Sequence, residues 1–243
     1  MRLSILASIF VASSIAAAAH AAGPAAADVG DADSFGRNVH FIGTSQSGAV
    51  TVTSDASNCP PPDPSLPDDR CLVVNPAPAQ TVATFNDIGR IKLPAKATNS
   101  LLCHAVTPFF FWHASNPTGS PASTTFASTV SFTIENQLLD DPSLIDPTTG
   151  LPFGGKLDVG LTGLTGDTHT LQPGDSETRR HVSTKFCLGG LVSKDALVFT
   201  YGLSAAQADD FSRKPMTVHL NLTLRSRLVD DAGAFYGVRL FGD

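Results

Sequence analysis

The sequence predicts an all-β protein: a two-sheet antiparallel sandwich of Ig-like or jelly-roll type, with a small helical connection near residues 193–212. Three observations carry this expectation. Apolar residues recur at every second position in several segments, the period of a half-buried strand. The acidic side chains are nearly all Asp, with Glu135 and Glu177 the only glutamates among 22 acids, and Asp favours turns where Glu favours helices. Finally, 20 Gly and 17 Pro in 243 residues supply the turns that many short strands require.

Residues 1–21 read as a secretory signal peptide. Met1-Arg2 gives a positive start, Leu3 to Ala19 is an unbroken run of apolar and small residues, and Ala19-His20-Ala21 ends it with a small-x-small pattern. Cleavage is expected after Ala21. A cut after Ala19 would leave His20 at the amino terminus, the copper-binding start of lytic polysaccharide monooxygenases, but the Ala/Gly/Pro/Asp chain behind it offers no rigid frame for copper. Residues 22–36 read as a flexible amino-terminal arm, and residues 37–243 as a single sandwich domain.

Within that domain the expected strands are Asn38–Gly43, Ala49–Thr53, Cys71–Val74, Ile88–Leu93, Leu101–His113, Thr124–Ile134, Lys156–Leu161, a strand before Gly189, Pro215–Arg227 and Phe235–Phe241. The clearest alternation is in Pro215–Arg227, where Met216, Val218, Leu220, Leu222 and Leu224 oppose Thr217, His219, Asn221, Thr223 and Arg225. In the strand before Gly189, Val182, Phe186 and Leu188 share a face. Turn chemistry such as Asp146-Pro147-Thr148-Thr149-Gly150 and Gln172-Pro173-Gly174-Asp175 separates the strands. For the helical connection, Ser193 caps Lys194–Tyr201, stopped by Gly202, and Ser204 caps Ala205–Ser212 ahead of Pro215.

Four cysteines, Cys59, Cys71, Cys103 and Cys187, in an exported chain read as two disulfides. Sequence alone permits three pairings. The preferred one joins Cys59 to Cys71 across a Pro/Asp-rich loop and Cys103 to Cys187 between distant strands. In the chain-entropy model the short loop contributes about 3 kcal/mol. No C-x-x-C is present, and His104 is the only His beside a Cys, which argues against zinc.

A net charge of −6 makes nucleic acid and anionic membrane surfaces poor partners. After the leader no apolar stretch reaches spanning length. The histidines show no strand or helix spacing for joint metal ligation, and G-x-S-x-G is absent. Gly174-Asp175-Ser176 sits in a turn. Asn221-Leu222-Thr223 matches a glycosylation sequon inside a strand.

Two constellations remain. Asp140, Asp141 and Asp146, in the loop Leu138–Gly155, could supply oxygens to calcium, or could simply make Asx turns. Phe109-Phe110-Phe111-Trp112 places aromatics on both faces of one strand. Phe109, Phe111 and Trp112 could form a surface for sugar-ring stacking, and a strand covered on both faces explains the run as well.

The blocks Asp31–Val39, Leu93–Cys103, Gly190–Leu197 and Tyr236–Asp243 resemble those of uncharacterised exported proteins of Gram-negative bacteria. The resemblance implies a bacterial protein, secreted or periplasmic, and assigns no functional residue. The expected function is a non-enzymatic binding or structural, surface-assembly module. Its partner would be an extracellular ligand such as a glycan, or another copy of the chain reached when the arm Ala22–Val39 adds a strand to an open sheet edge. The enzymatic alternative is a secreted carbohydrate-active or other hydrolytic protein using Asp carboxylates. No cofactor is expected, calcium excepted.

Overall fold

The computed structural model describes residues 40–44, 48–67, 69–106, 109–160, 165–182, 185–186 and 192–243. The expected signal peptide and amino-terminal arm, with Cys187 and Leu188, lie outside these residues. In chain order the strands are β1 (His40–Thr44), β2 (Gly48–Thr53), β3 (Arg70–Val73), β4 (Gln80–Leu93), β5 (Leu101–Val106), β6 (Phe109–Ser115), β7 (Ala122–Asn136) and β8 (Lys156–Gly160). They continue with β9 (Thr165–Leu171), β10 (Ser176–Val182), β11 (Lys185–Phe186), β12 (Val192–Ser193), β13 (Met216–Arg227), β14 (Val229–Tyr236) and β15 (Val238–Gly242).

The chain is an all-β sandwich. One layer has the order β4-β13-β7-β8, with β9 also paired to β7. The opposing side holds two further sheets, β10-β6-β14-β2-β3 and β1-β15-β5-β11, with β12 also on β5. These two are linked by shared chain. β5 leads to β6 past residues 107–108, β14 leads to β15 past Gly237, and the pairs Val238↔Val106 and Phe235↔Phe109 flank the break. Leu101–His113 and Phe235–Phe241, each expected as one strand, are therefore each divided at the same level. For the second division the sequence offers a reason, since Gly237 weakens a strand interior.

Pairing is antiparallel except between β2 and β3, which run parallel. The inner face of β13 is buried from Met216 to Leu224, as the alternation predicts. It packs in one continuous cluster with Phe110 and Trp112 of β6 and Phe126 of β7. The Phe126 ring lies 5.6 Å from Phe110 and 5.5 Å from Trp112. Burying rings of this size contributes about 1.5–3 kcal/mol each.

Two strands run longer than expected. β7 is 15 residues, and β4 begins at Gln80 instead of Ile88. β4 carries a bulge where its register against β13 shifts between Leu220 and Leu222, and Asp87 there takes a positive φ of 54°.

The helical connection is present, with one change. Ser193 Oγ accepts the Ala196 N–H at 3.0 Å, but the segment it starts is a π-turn over Ala196–Thr200, shorter than the expected Lys194–Tyr201 helix. Ser204 and Gln207 form a reciprocal capping box at the head of α1 (Ala205–Arg213).

Cys59 and Cys71 form a disulfide with Cα atoms 5.7 Å apart. Cys103 is buried on β5, and its expected partner Cys187 falls outside the described residues. Among the described residues no helix is long and apolar enough to cross a membrane.

Candidate functional site

The outer face of the sheet β10-β6-β14-β2-β3 carries the most distinctive surface. Period-two alternation sends Phe110 and Trp112 of β6 into the core and leaves Phe109 and Phe111 outside. β14 adds Phe235, directly opposite Phe109. The ring centroids are 6.4 Å apart for Phe109–Phe111, 6.0 Å for Phe109–Phe235 and 6.0 Å for Phe111–Phe235, the last pair stacked at 30°. Phe111 and Phe235 remain 39% and 43% exposed. Phe111 lies against Gly233, where a Cβ would come within 2.4 Å of its ring. A Cβ there would displace the ring, which lies across the Gly233 backbone.

This corrects part of the sequence expectation. Trp112 is 1% exposed and belongs to the core, so it leaves the ligand surface. Phe235 takes its place. Phe109 and Phe111 lie on the outer face of the sheet.

At the β3 end of this face, loop 59–71 folds over the sheet. The disulfide closes it, and prolines at 60, 61, 62, 64 and 67 stiffen it. Asp69 accepts the Ala49 N–H of β2 at 3.0 Å. Arg70 donates to the carbonyls of Pro67 and Asp69 at 2.5 and 2.9 Å. Asp63 accepts from the Ser65 hydroxyl at 2.7 Å and its N–H at 2.8 Å, which holds the Asp63 carboxyl below the usual range. Between loop and sheet is a cleft of about 740 Å³ lined by the prolines, Leu66, Thr51, Arg70 and Cys71.

Beyond Phe111 along β6 lies His113, whose Nδ1 is 3.2 Å from Thr178 Oγ1 and whose Nε2 is 3.7 Å from Asp230. The aromatic platform thus has a polar margin.

The outer face of the opposite layer differs. His219 on β13 has Nδ1 2.8 Å from Asp87 of β4 and Nε2 3.2 Å from Glu135 of β7. Arg90 pairs with Asp87, and Lys156 of β8 lies 3.3 Å from Glu135. His219 first, then Lys156, holds the Glu135 carboxyl below its ordinary value. Asn221 accepts the Asp87 N–H at 2.9 Å and donates to Thr133 at 3.0 Å, and Thr133 donates to Asp158 at 2.6 Å. This network ties four strands together around the Asp87 bulge. Asn221 is engaged there and buried, so the sequon offers no accessible amide. The other glutamate repeats the pattern at the sandwich edge. Glu177 and Arg179 of β10 pair with His169 and Asp167 of β9, Arg179 reaching Asp167 at 2.6 Å.

The acidic loop does not converge. Asp141 accepts from Ser143 N–H and hydroxyl at 2.9 and 2.7 Å, and Asp146 from Thr148 at 2.8 and 2.7 Å. These bonds lower both carboxyls. Asp140 lies beneath Gly155. Asp141 and Asp146 each serve their own turn. Among the described residues no group of three or more His, Cys, Asp or Glu is placed to hold a metal ion.

No protein-family model matches the chain, and no curated protein does. Solved structures with some similarity are particles of infectious bursal disease virus. One is the T13 viral particle (TM-score 0.14, 11% identity, 84% of this chain and 38% of that chain). Another is the Gt strain (TM-score 0.13, 12% identity, 84% and 41%). The chain spans about two fifths of the length of these proteins. Scores this low carry no argument about topology or function.

Proposed function

We propose that the chain is an exported bacterial binding module that holds a saccharide on the outer face of the sheet β10-β6-β14-β2-β3. The observation that carries this reading is the cluster Phe109, Phe111 and Phe235: three neighbouring rings, two of them well exposed, beside a disulfide-closed loop. Exposed flat rings suit the apolar faces of pyranose rings, and the polar margin at His113 and Asp230 suits their hydroxyls. The apolar leader and the Cys59–Cys71 disulfide support an extracytoplasmic place of action.

The test is affinity electrophoresis of the full chain through cellulose derivatives, chitosan, xylan, mannan and peptidoglycan fragments. We expect retardation by at least one polymer, lost in Phe111→Ala. If no polymer retards the protein while Phe111→Ala alters its sedimentation coefficient, the platform is a contact between protein copies and the reading fails. Self-assembly by strand addition has one supporting observation of its own: among the described residues β4, 14 residues long, is paired only to β13.

A further inference from the structure

The saccharide reading leaves open how long a ligand the face takes, and the strand register addresses it. The cross-strand row Arg180, Phe111, Gly233, Thr51 and Cys71 crosses all five strands of the sheet. Four strand spacings make it about 19 Å long. It starts at the exposed Arg180, passes the Phe111 ring, and ends at Thr51 and Cys71, which also line the loop cleft. Platform and cleft therefore share one cross-strand row, meeting at Thr51 and Cys71. Its two margins differ in chemistry. Val182, Phe109 and Phe235 border one side, and Thr178, His113 and Asp231 the other.

We infer that the site takes a linear oligosaccharide roughly four units long, lying along this row from Arg180 across Phe111 into the cleft beneath loop 59–71. A chain of sugar rings has apolar faces and hydroxyl-lined edges, which match one apolar and one polar margin. Leu66, at 52% exposure, stands over the cleft end with no role in the core. The disulfide, the prolines and the Asp69–Ala49 bond fix the loop before any ligand arrives, so little ordering is left for binding. This inference rests on the saccharide reading and adds the length of the ligand and the part played by the loop.

The test is isothermal titration of the full chain with β-1,4-linked glucose and N-acetylglucosamine oligomers of two to six units. Affinity should rise about tenfold or more between two and four units and then level. Leu66→Ala should remove most of that gain and leave the dimer unaffected, whereas Phe111→Ala should weaken every length. Leu66 is exposed, so an unchanged melting temperature confirms that its variant is folded. Equal affinity at all lengths, or no effect of Leu66→Ala while Phe111→Ala still abolishes binding, overturns the long track and leaves the saccharide platform standing. Failure of every oligomer and of every polymer in the electrophoresis overturns the platform itself.

Discussion

The two outer faces of this sandwich use similar β-geometry for opposite ends. On one, the outward side chains include the apolar Phe109, Phe111, Phe235 and Val182 beside Arg180, Thr178, His113 and Asp231, and the stacked rings of Phe111 and Phe235 are open to solvent. On the other, outward positions hold Asp87, His219, Glu135, Lys156, Asn221 and Thr133, and these bond to one another across four strands. Rings that stack on one another yet keep about two fifths of their surface exposed leave apolar area open in the free protein. A polar network whose groups find each other has already used its bonding capacity. The second face is structurally reinforced, and the proposed binding belongs to the first.

The sharpest contrast is within β6 itself, between Trp112 and the neighbouring Phe111. Trp112→Ala should destabilise the fold by about 3–5 kcal/mol, because it opens a cavity beside Phe126. Urea unfolding measures this directly. A change under about 1 kcal/mol would show that Trp112 does not hold the two layers together, and the division of β6 into a core face and a ligand face would collapse.

A second contrast sets His104 against His219. His104 is 2% exposed and packs edge-on to Phe132 with centroids 5.0 Å apart, and burial pushes its pKa down to about 4 from 6.5. The unfolded chain takes up a proton below its ordinary value, and the fold does so only near 4. Stability from this group is therefore intact above pH 6.5, falls as pH drops towards 4, and levels below it, a loss of about 3 kcal/mol. His104→Phe should flatten that part of the pH–stability curve. Parallel curves for wild type and variant between pH 7 and pH 4 would contradict the buried neutral imidazole.

Much of this arrangement was legible in the sequence, and the exceptions have causes. The alternation of Met216 to Leu224 fixes the inner face of β13, and the Pro-rich spacing brings out Cys59–Cys71. The same alternation assigns Trp112 to the face opposite Phe111, so its place in the core was readable from period two alone. Phe235 was not readable as a platform residue, because only the pairing of β14 with β6 brings it there. The early half of β4 was hidden because its outward side mixes Val82 and Thr84 with exposed surface, as edge strands do. The bulge at Asp87 had a local signal in Asn86-Asp87 followed by Gly89, turn residues inside a strand pattern. The break at Gly237 carried the same kind of signal, but its level in the sheet depends on register between distant segments.

The smaller effects test the comparison most directly, because they should separate cleanly. His219→Ala removes the group between Asp87 and Glu135 and leaves two carboxylates with only Arg90 and Lys156. It should lower stability by about 2 kcal/mol and leave retardation by polysaccharide unchanged. Phe111→Ala removes a ring that is 39% exposed, so it should lower stability by about 1 kcal/mol or less and abolish retardation. Chemical unfolding and affinity electrophoresis of the two variants side by side make the comparison. The pattern expected is a crossed one, each variant strong in the assay where the other is weak. If His219→Ala loses retardation while Phe111→Ala keeps it, the polar face is the one that meets the ligand, and the roles of the two faces are reversed.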